Sequence, residues 1–263
     1  MPYREQNSNK GTFGKVLNVA GSENYIGAAY LSSLAAYKIG AGYVALASCE
    51  KVLNSVSQLL PETVLLSREK AIDDIGNYTV LIIGCGLGAD KNTAQYFEKI
   101  ISKYREIPNV IDADGLNITS GINNIQLPEK SILTPHPAEA ARLLGINTED
   151  VLSDLKGSAK SISEKYKCVT VLKTHHTLIC NTDLTIHINE HGNSALAKAG
   201  TGDVLAGIIA GLLAQKISPF EAAKLGVYLH SRAGEIASEH LTEYSVLATD
   251  VIKYLPNAIS ELV

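Results

Sequence analysis

The segment Lys198-Ala199-Gly200-Thr201-Gly202-Asp203-Val204-Leu205-Ala206-Gly207 holds the residues best suited to chemistry. Gly200 and Gly202 let the main chain approach a ligand closely, and the apolar run behind them reads as a helix. Its unpaired N–H groups and the positive end of its dipole then converge on one point, an anion hole. Asp203 falls in the first helical turn. It has two readings there. One is a carboxylate that complements the dipole; the other is a general base that takes the proton of a hydroxyl attacking a phosphoryl group.

A second glycine cluster, Gly84-Cys85-Gly86-Leu87-Gly88, follows an apolar strand pattern, at the strand end where open α/β sheets bind ligands. Its spacing is GxGxG, not the GxGxxG of a dinucleotide fingerprint, and Gly11-Thr12-Phe13-Gly14-Lys15 lacks the spacing of a P-loop. Asp112, Asp114 and Asn117 end another strand pattern, where they can hold Mg²⁺ through water, orient a polar substrate, or simply make a turn. In Thr134-Pro135-His136-Pro137-Ala138-Glu139 two prolines fix the loop, and His136 can touch a ligand or serve structure alone. His175, His176, His187 and His191 do not read as a metal cluster, because neighbours on a strand point to opposite faces, and no residue is assigned to a metal centre. His187 reads as the solvated face of a strand and His230 as a structural residue of its helix.

These residues need a frame. Runs at 16–20, 43–48, 79–84, 109–113, 131–135 and 168–173 are short and rich in β-branched residues, and several are apolar on consecutive positions. Burial on both faces is the property of a parallel sheet covered by helices, and helical spacing such as Ala28, Leu31, Ala35 and Ile39 fills the gaps. The expected class is α/β, a doubly wound and mainly parallel sheet. Residues 177–181 and 184–189 add an antiparallel hairpin at its edge. From Thr201 onward the chain reads as mostly helical, and the small residues Ala206, Gly207, Ala210 and Gly211 can pack closely against another element, within or between subunits. No repeat or linker interrupts the pattern, so residues 1–263 are expected to form one domain.

Composition narrows the partners. Of 263 residues, 46% are hydrophobic and 19% charged, which excludes a disordered chain, and the net charge of −4 provides no field for nucleic acid or anionic lipid. Cys49, Cys85, Cys168 and Cys180 form no CxxC pair, as expected of reduced thiols in a cytoplasmic protein. The first residues lack the apolar core of a signal peptide, and the apolar stretch from Val204 to Ala214 is too short to span a bilayer, so no membrane association is expected.

The segments GKVLNVAGSENYIGAAYLSSLAAYKIGAGYV, LIIGCGLG, VIDADGLN, ILTPHPAEAARLLG, VLKTHHTLI, GNSALAKAGTGDVLAGIIAGLLAQ and AAKLGVYLHSRAGE occur in this order. Together they resemble the ribokinase-like superfamily, and within it the ADP- or ATP-dependent NAD(P)H-hydrate dehydratases, which repair nicotinamide nucleotides. The resemblance implies that Ala28, Gly86 or Gly88, His136 and Asp203 contact the hydrated NADH or NADPH, with Asp114 and Asn117 beside them. It places the adenosine nucleotide against the loop Lys173, Thr174, His175, His176 and Thr177 together with Gly200, Thr201 and Gly202. Asp203 is the expected catalytic base, Mg²⁺ the expected cofactor, and ADP rather than ATP the expected phosphoryl donor. A homotetramer or larger homo-oligomer and a partner NAD(P)H-hydrate epimerase are implied as well. Thr174, Ala199 and Pro61-Glu62-Thr63-Val64 depart from the usual family pattern. The alternatives are a kinase of a small alcohol on the same fold, which a pair Asp-Thr before the glycine motif would mark and Leu196-Ala197 does not, and a nucleotide-binding protein without chemistry.

Overall fold

The computed structural model describes residues 1–263. Nine strands form one sheet: β1 (Lys15–Val19), β2 (Tyr43–Ser48), β3 (Val64–Ser67), β4 (Val80–Ile83), β5 (Asn109–Ile111), β6 (Ser131–Leu133), β7 (Val169–Leu172), β8 (Leu178–Cys180) and β9 (Ile186–Ile188). Eleven α-helices cover it: α1 (Ile26–Lys38), α2 (Glu50–Leu59), α3 (Arg68–Asp74), α4 (Lys91–Lys103), α5 (Asp114–Gly121), α6 (Pro137–Leu144), α7 (Thr148–Ser153), α8 (Leu155–Tyr166), α9 (Thr201–Ala214), α10 (Pro219–Leu241) and α11 (Ala248–Ser260).

The strand order is β3-β2-β1-β4-β5-β6-β7-β8-β9, with β1 to β7 parallel and the β8–β9 hairpin antiparallel at the edge. This is the doubly wound class that the consecutive apolar runs call for. Side chains alternate across each strand. Val16, Val80 and Ile82 therefore pack on one face against α1, α2, α9, α10 and α11, while Leu17, Val19, Leu81 and Ile83 pack on the other against α3 to α8. The winding reverses between β1 and β4, and such a switch point opens a crevice at the carboxyl ends of the strands.

Two differences from the sequence reading matter. β3 lies outside the expected runs because it is an edge strand with a single buried residue, Leu66, too little for an apolar pattern. It begins at Val64, inside the departing Pro61–Val64 segment. Three of the other runs end earlier than expected: β5 stops at Ile111, β6 at Leu133 and β7 at Leu172, so Asp112, Thr134 and Lys173 stand just past three neighbouring strand ends. The small-residue face of α9 packs within the chain. A Cβ on Gly207 would fall 2.3 Å from the Ser32 carbonyl oxygen, and one on Gly211 would fall 2.2 Å from Ile39 Cγ2, so α9 and α1 cross in backbone contact.

Candidate active site

Helix α9 starts at Thr201 on a left-handed Gly200, φ 93°, where a β-carbon would also strike Leu31. No side chain caps it, and neither the Gly202 nor the Asp203 amide has a hydrogen-bond partner. From Val204 to Ala214 every residue is buried, so the packed body of the helix fixes this open end in place.

Asp203 faces the ends of β4 and β5. Its carboxylate, that of Asp112 and the Cys85 thiol come within 4.8 Å of one another. Burial, and next the charge of Asp112, push the Asp203 carboxyl up to about 6, while contact with Cys85 and the nearby Lys173 pull it back. The Cys85 thiol is fully buried and held well above its usual range.

Lys173 is the positive group of the site. Its Nζ lies 2.7 Å from Asp112 Oδ1 and 3.9 Å from Glu139 Oε2. Burial opposes the ammonium, but the two carboxylates outweigh it and its pKa ends above the ordinary lysine value. Thr134 donates to the same Asp112 oxygen at 2.7 Å. A Cβ on Gly202 would sit 3.5 Å from Lys173 Nζ and 3.6 Å from Asp112 Oδ2, so the ammonium stands against the free end of α9. Ala113 is held at φ 49° and ψ −116°, a costly conformation for a residue with a β-carbon. The anchors on either side, Asp112 to Lys173 and Asp114 to the Gly88 amide at 2.8 Å, impose it.

Of the expected substrate residues, Ala28, Gly86, Gly88, Asp114 and Asn117 form one rim. A Cβ on Gly86, φ 59°, would meet Ala28 Cβ at 2.9 Å, so α1 and the loop after β4 touch there. Asp114 accepts from Gly88, Asn117 lies 3.4 Å from Asp114, and Arg142 donates to Asn117 Oδ1 at 2.7 Å. His136 caps α6: its Nδ1 accepts from the Ala138 and Glu139 amides, and Glu139 accepts from the His136 amide in return. Nδ1 is thus an acceptor, and burial followed by the charges of Lys173 and Arg142 keeps the ring below its usual pKa against the pull of Glu139.

Most of the expected nucleotide residues line a cleft of about 700 Å³ beside the start of α9, and His136, expected on the substrate side, lines it too. Lys173, Thr174, His175, Thr177, Thr201 and Gly202 line it; His176 faces a smaller adjoining pocket and Gly200 lies behind the helix start. His175 and His176 are in the bend before β8, with rings 4.4 Å apart, and so do not point to opposite faces as a strand would place them. Thr174 has no positive φ and its hydroxyl donates to the His176 carbonyl at 2.7 Å, so the departure from the family pattern closes the loop without strain.

The sequence reading missed Glu139, Cys85, the wall formed by His191 to Lys198, and the α10 stripe Val227, His230 and Ser231, all of which build these surfaces. His230, expected to be structural only, lines the cleft. The wall from His191 to Lys198, held in part by Glu235, which accepts from the Gly192 amide at 2.6 Å, carries no local motif beyond Gly192-Asn193.

Asp112 and Asp203 suit a hard divalent cation, but Cys85 is a soft donor and Asp112 already holds Lys173. The set therefore fits Mg²⁺ that arrives on phosphate oxygens, not an ion caged by protein alone. No helix is long and apolar enough to cross a membrane.

Comparison with known proteins gives a consistent answer. The bifunctional NAD(P)H-hydrate repair enzyme Nnr of Moorella thermoacetica is 35% identical across 100% of this chain and 52% of its own length, so the chain spans about half of that relative. The ADP-dependent (S)-NAD(P)H-hydrate dehydratase of Neisseria meningitidis serogroup B is 39% identical over 90% of this chain and 81% of its own. The crystal structure of the ADP/ATP-dependent NAD(P)H-hydrate dehydratase from Bacillus subtilis, co-crystallised with ATP/Mg²⁺, matches with a TM-score of 0.91 at 31% identity, covering 100% of this chain and 95% of that one. The Carb_kinase profile, described as NAD(P)H-hydrate dehydratase, matches residues 16–257, and the chain belongs to that family.

Proposed function

We propose that this chain is an ADP-dependent (S)-NAD(P)H-hydrate dehydratase, with Asp203 as its base. The observation that carries the reading is the meeting of Asp203, two unpaired α9 amides and the Lys173 ammonium between two separate rims. The hydrate lies against Ala28, Gly86, Gly88, Asp114, Asn117 and His136, and ADP fills the cleft beside Lys173 to Thr177 and Gly200 to Gly202.

With a pKa of about 6, Asp203 is ionised at neutral pH and close enough to it to accept a proton. It takes the proton of the ring hydroxyl as that oxygen attacks the terminal phosphorus of ADP and AMP departs. Lys173 and the Gly202 and Asp203 amides stabilise the charge on the transferring group. The ring nitrogen then expels phosphate, a far better leaving group than hydroxide, the neighbouring ring carbon gives up a proton to the departing phosphate, and NADH or NADPH is restored. Bound Mg²⁺ would neutralise charge on the phosphates, with Asp112 as the residue that would hold it beside the start of α9, which leaves Asp203 to act as the base.

The same reading treats residues 1–263 as one cytoplasmic unit that assembles as a homotetramer or larger, and that works beside an epimerase supplying the reactive epimer. Light scattering checks the assembly. For the activity, chemically hydrated NADH is incubated with Mg²⁺ and either ADP or ATP, and the reduced-nicotinamide absorbance is followed with nucleotide release. The expected result is recovery matched one-to-one by AMP release from ADP. Nucleotide consumed only with a small alcohol present, or bound and never consumed, overturns the dehydratase reading.

A further inference from the structure

α10 shows the nucleotide cleft three residues at helical spacing, Val227, His230 and Ser231. Val227 is apolar, and the Ser231 hydroxyl already accepts from Asn189 Nδ2 at 3.1 Å. His230 is different. It is 6% exposed, it lines the cleft, and its Nε2 has no hydrogen-bond partner. A buried polar nitrogen left unpaired gives up its hydration for nothing in return, so it calls for a partner outside the protein's own set.

The neighbouring groups are committed. The Thr201 hydroxyl bonds the carbonyls of Leu196 and Lys198, and the Asn193 amide bonds Ser238 and Ala195. Burial first, then the Lys173 charge, bring the imidazole down to about 4 against a pull from the Thr201 backbone, so it is neutral at neutral pH. A neutral imidazole offers one N–H donor and one acceptor nitrogen, and adds no charge for a phosphate. A hydroxyl, itself donor and acceptor, matches it.

Position separates the ligand's parts. Lys173 and the start of α9 lie at one side of His230, where phosphates belong. Val227, one turn back on α10, joins Leu196 and Leu205 as the apolar wall suited to a base. His230 lies three residues after Val227 on α10 and near enough to Lys173 to feel its charge, a position suited to the sugar that joins phosphate to base. Resting on the nucleotide reading above, we infer that His230 hydrogen-bonds a ribose hydroxyl of the adenosine nucleotide and selects for ribonucleotides over deoxyribonucleotides.

Calorimetric titration of the wild type, His230→Ala and His230→Leu with ADP, 2′-deoxy-ADP and 3′-deoxy-ADP closes a cycle on protein and ligand together. His230→Leu fills the buried volume and guards against a variant that fails to fold. One deoxynucleotide should bind the wild type about three- to tenfold more weakly than ADP, the loss of one neutral hydrogen bond. Both variants should bind ADP and that deoxynucleotide equally. Additive losses, or variants that bind ADP as tightly as the wild type, overturn the His230 contact and leave the cleft's assignment standing. A wild type that does not bind ADP overturns the nucleotide reading, and this inference with it.

Discussion

Asp203 carries opposing demands. Burial raises its pKa from 3.8 to about 6, so the folded chain holds the proton more tightly than the unfolded chain. The stability tied to that proton is fully present below the unfolded pKa and is lost as pH rises through about 6. Asp203→Asn should therefore cut turnover by about 100-fold or more, as loss of a positioned base does. In buffer free of metal and nucleotide, it should also raise stability at pH 7 by about 1–3 kcal/mol, a gain that shrinks toward zero near pH 4. Melting curves across that range check it; an equal gain at both ends would sink burial of the charge as the cause. Lys173 poses the converse case. Lys173→Met leaves the Asp112 carboxylate buried and unpaired, and should cost about 3–5 kcal/mol in urea unfolding. Asp112→Asn with Lys173→Met should cost less than the two single changes together, and simple additivity would show that the pair does not interact. Asp203 was legible in the sequence because the glycines, the acid and the apolar run are contiguous. The Asp112–Lys173 pair was not, since its partners are 61 residues apart and meet only because β5 and β7 flank β6.

At the scale of elements, α9 is both scaffold and site. Its free end presents the amides and Asp203, while its body crosses α1 with carbonyl and methyl groups where side chains would stand. A methyl at Gly207 has no room: its Cβ would lie 2.3 Å from the Ser32 oxygen and 2.8 Å from Ala35 Cβ. Gly207→Ala should lower stability by about 1–3 kcal/mol despite the better helix propensity of alanine. As α9 shifts, turnover should fall while the pH dependence keeps its midpoint near 6, because Asp203 itself is untouched. A stabilised variant with full turnover would mean that the crossing has slack. The sequence marked this face as small, yet could not say whether its partner lay inside the chain. The parallel strands were legible because burial on both faces leaves continuous apolar runs. β3 escaped because only Leu66 is buried, and the cleft wall at 191–198 escaped because its shape comes from bonds to α10, such as Asn193 to Ser238, that no local pattern announces.

Across the whole molecule, the two rims belong to different parts of the chain. The proposed hydrate side is built from α1 and the loops after β4 and β5, while the proposed nucleotide side is built from the β7–β8 loop, residues 191–198, and the ends of α9 and α10 that face them. Asp203 meets Cys85 and Asp112 after β4 and β5 and directly follows Gly202, which lines the cleft. A ligand slows local opening only in segments that it touches or that pack directly on them, so hydrogen exchange can separate the rims. ADP with Mg²⁺ should protect residues 173–177 and 191–203 and leave 84–88 and the start of α1 exchanging as in the free chain. Adding the hydrate, or a stable analogue of it, should extend protection to 84–88 and 114–117. The central strands serve as the reference, since they open only with the whole fold. Protection of 84–88 by ADP alone, with 191–203 unaffected, would put the nucleotide on the opposite rim. Asp203 would then still lie between the reactants, but Lys173 and the α9 amides would face the ring hydroxyl instead of the phosphate, and the stabilisation assigned to them would fail.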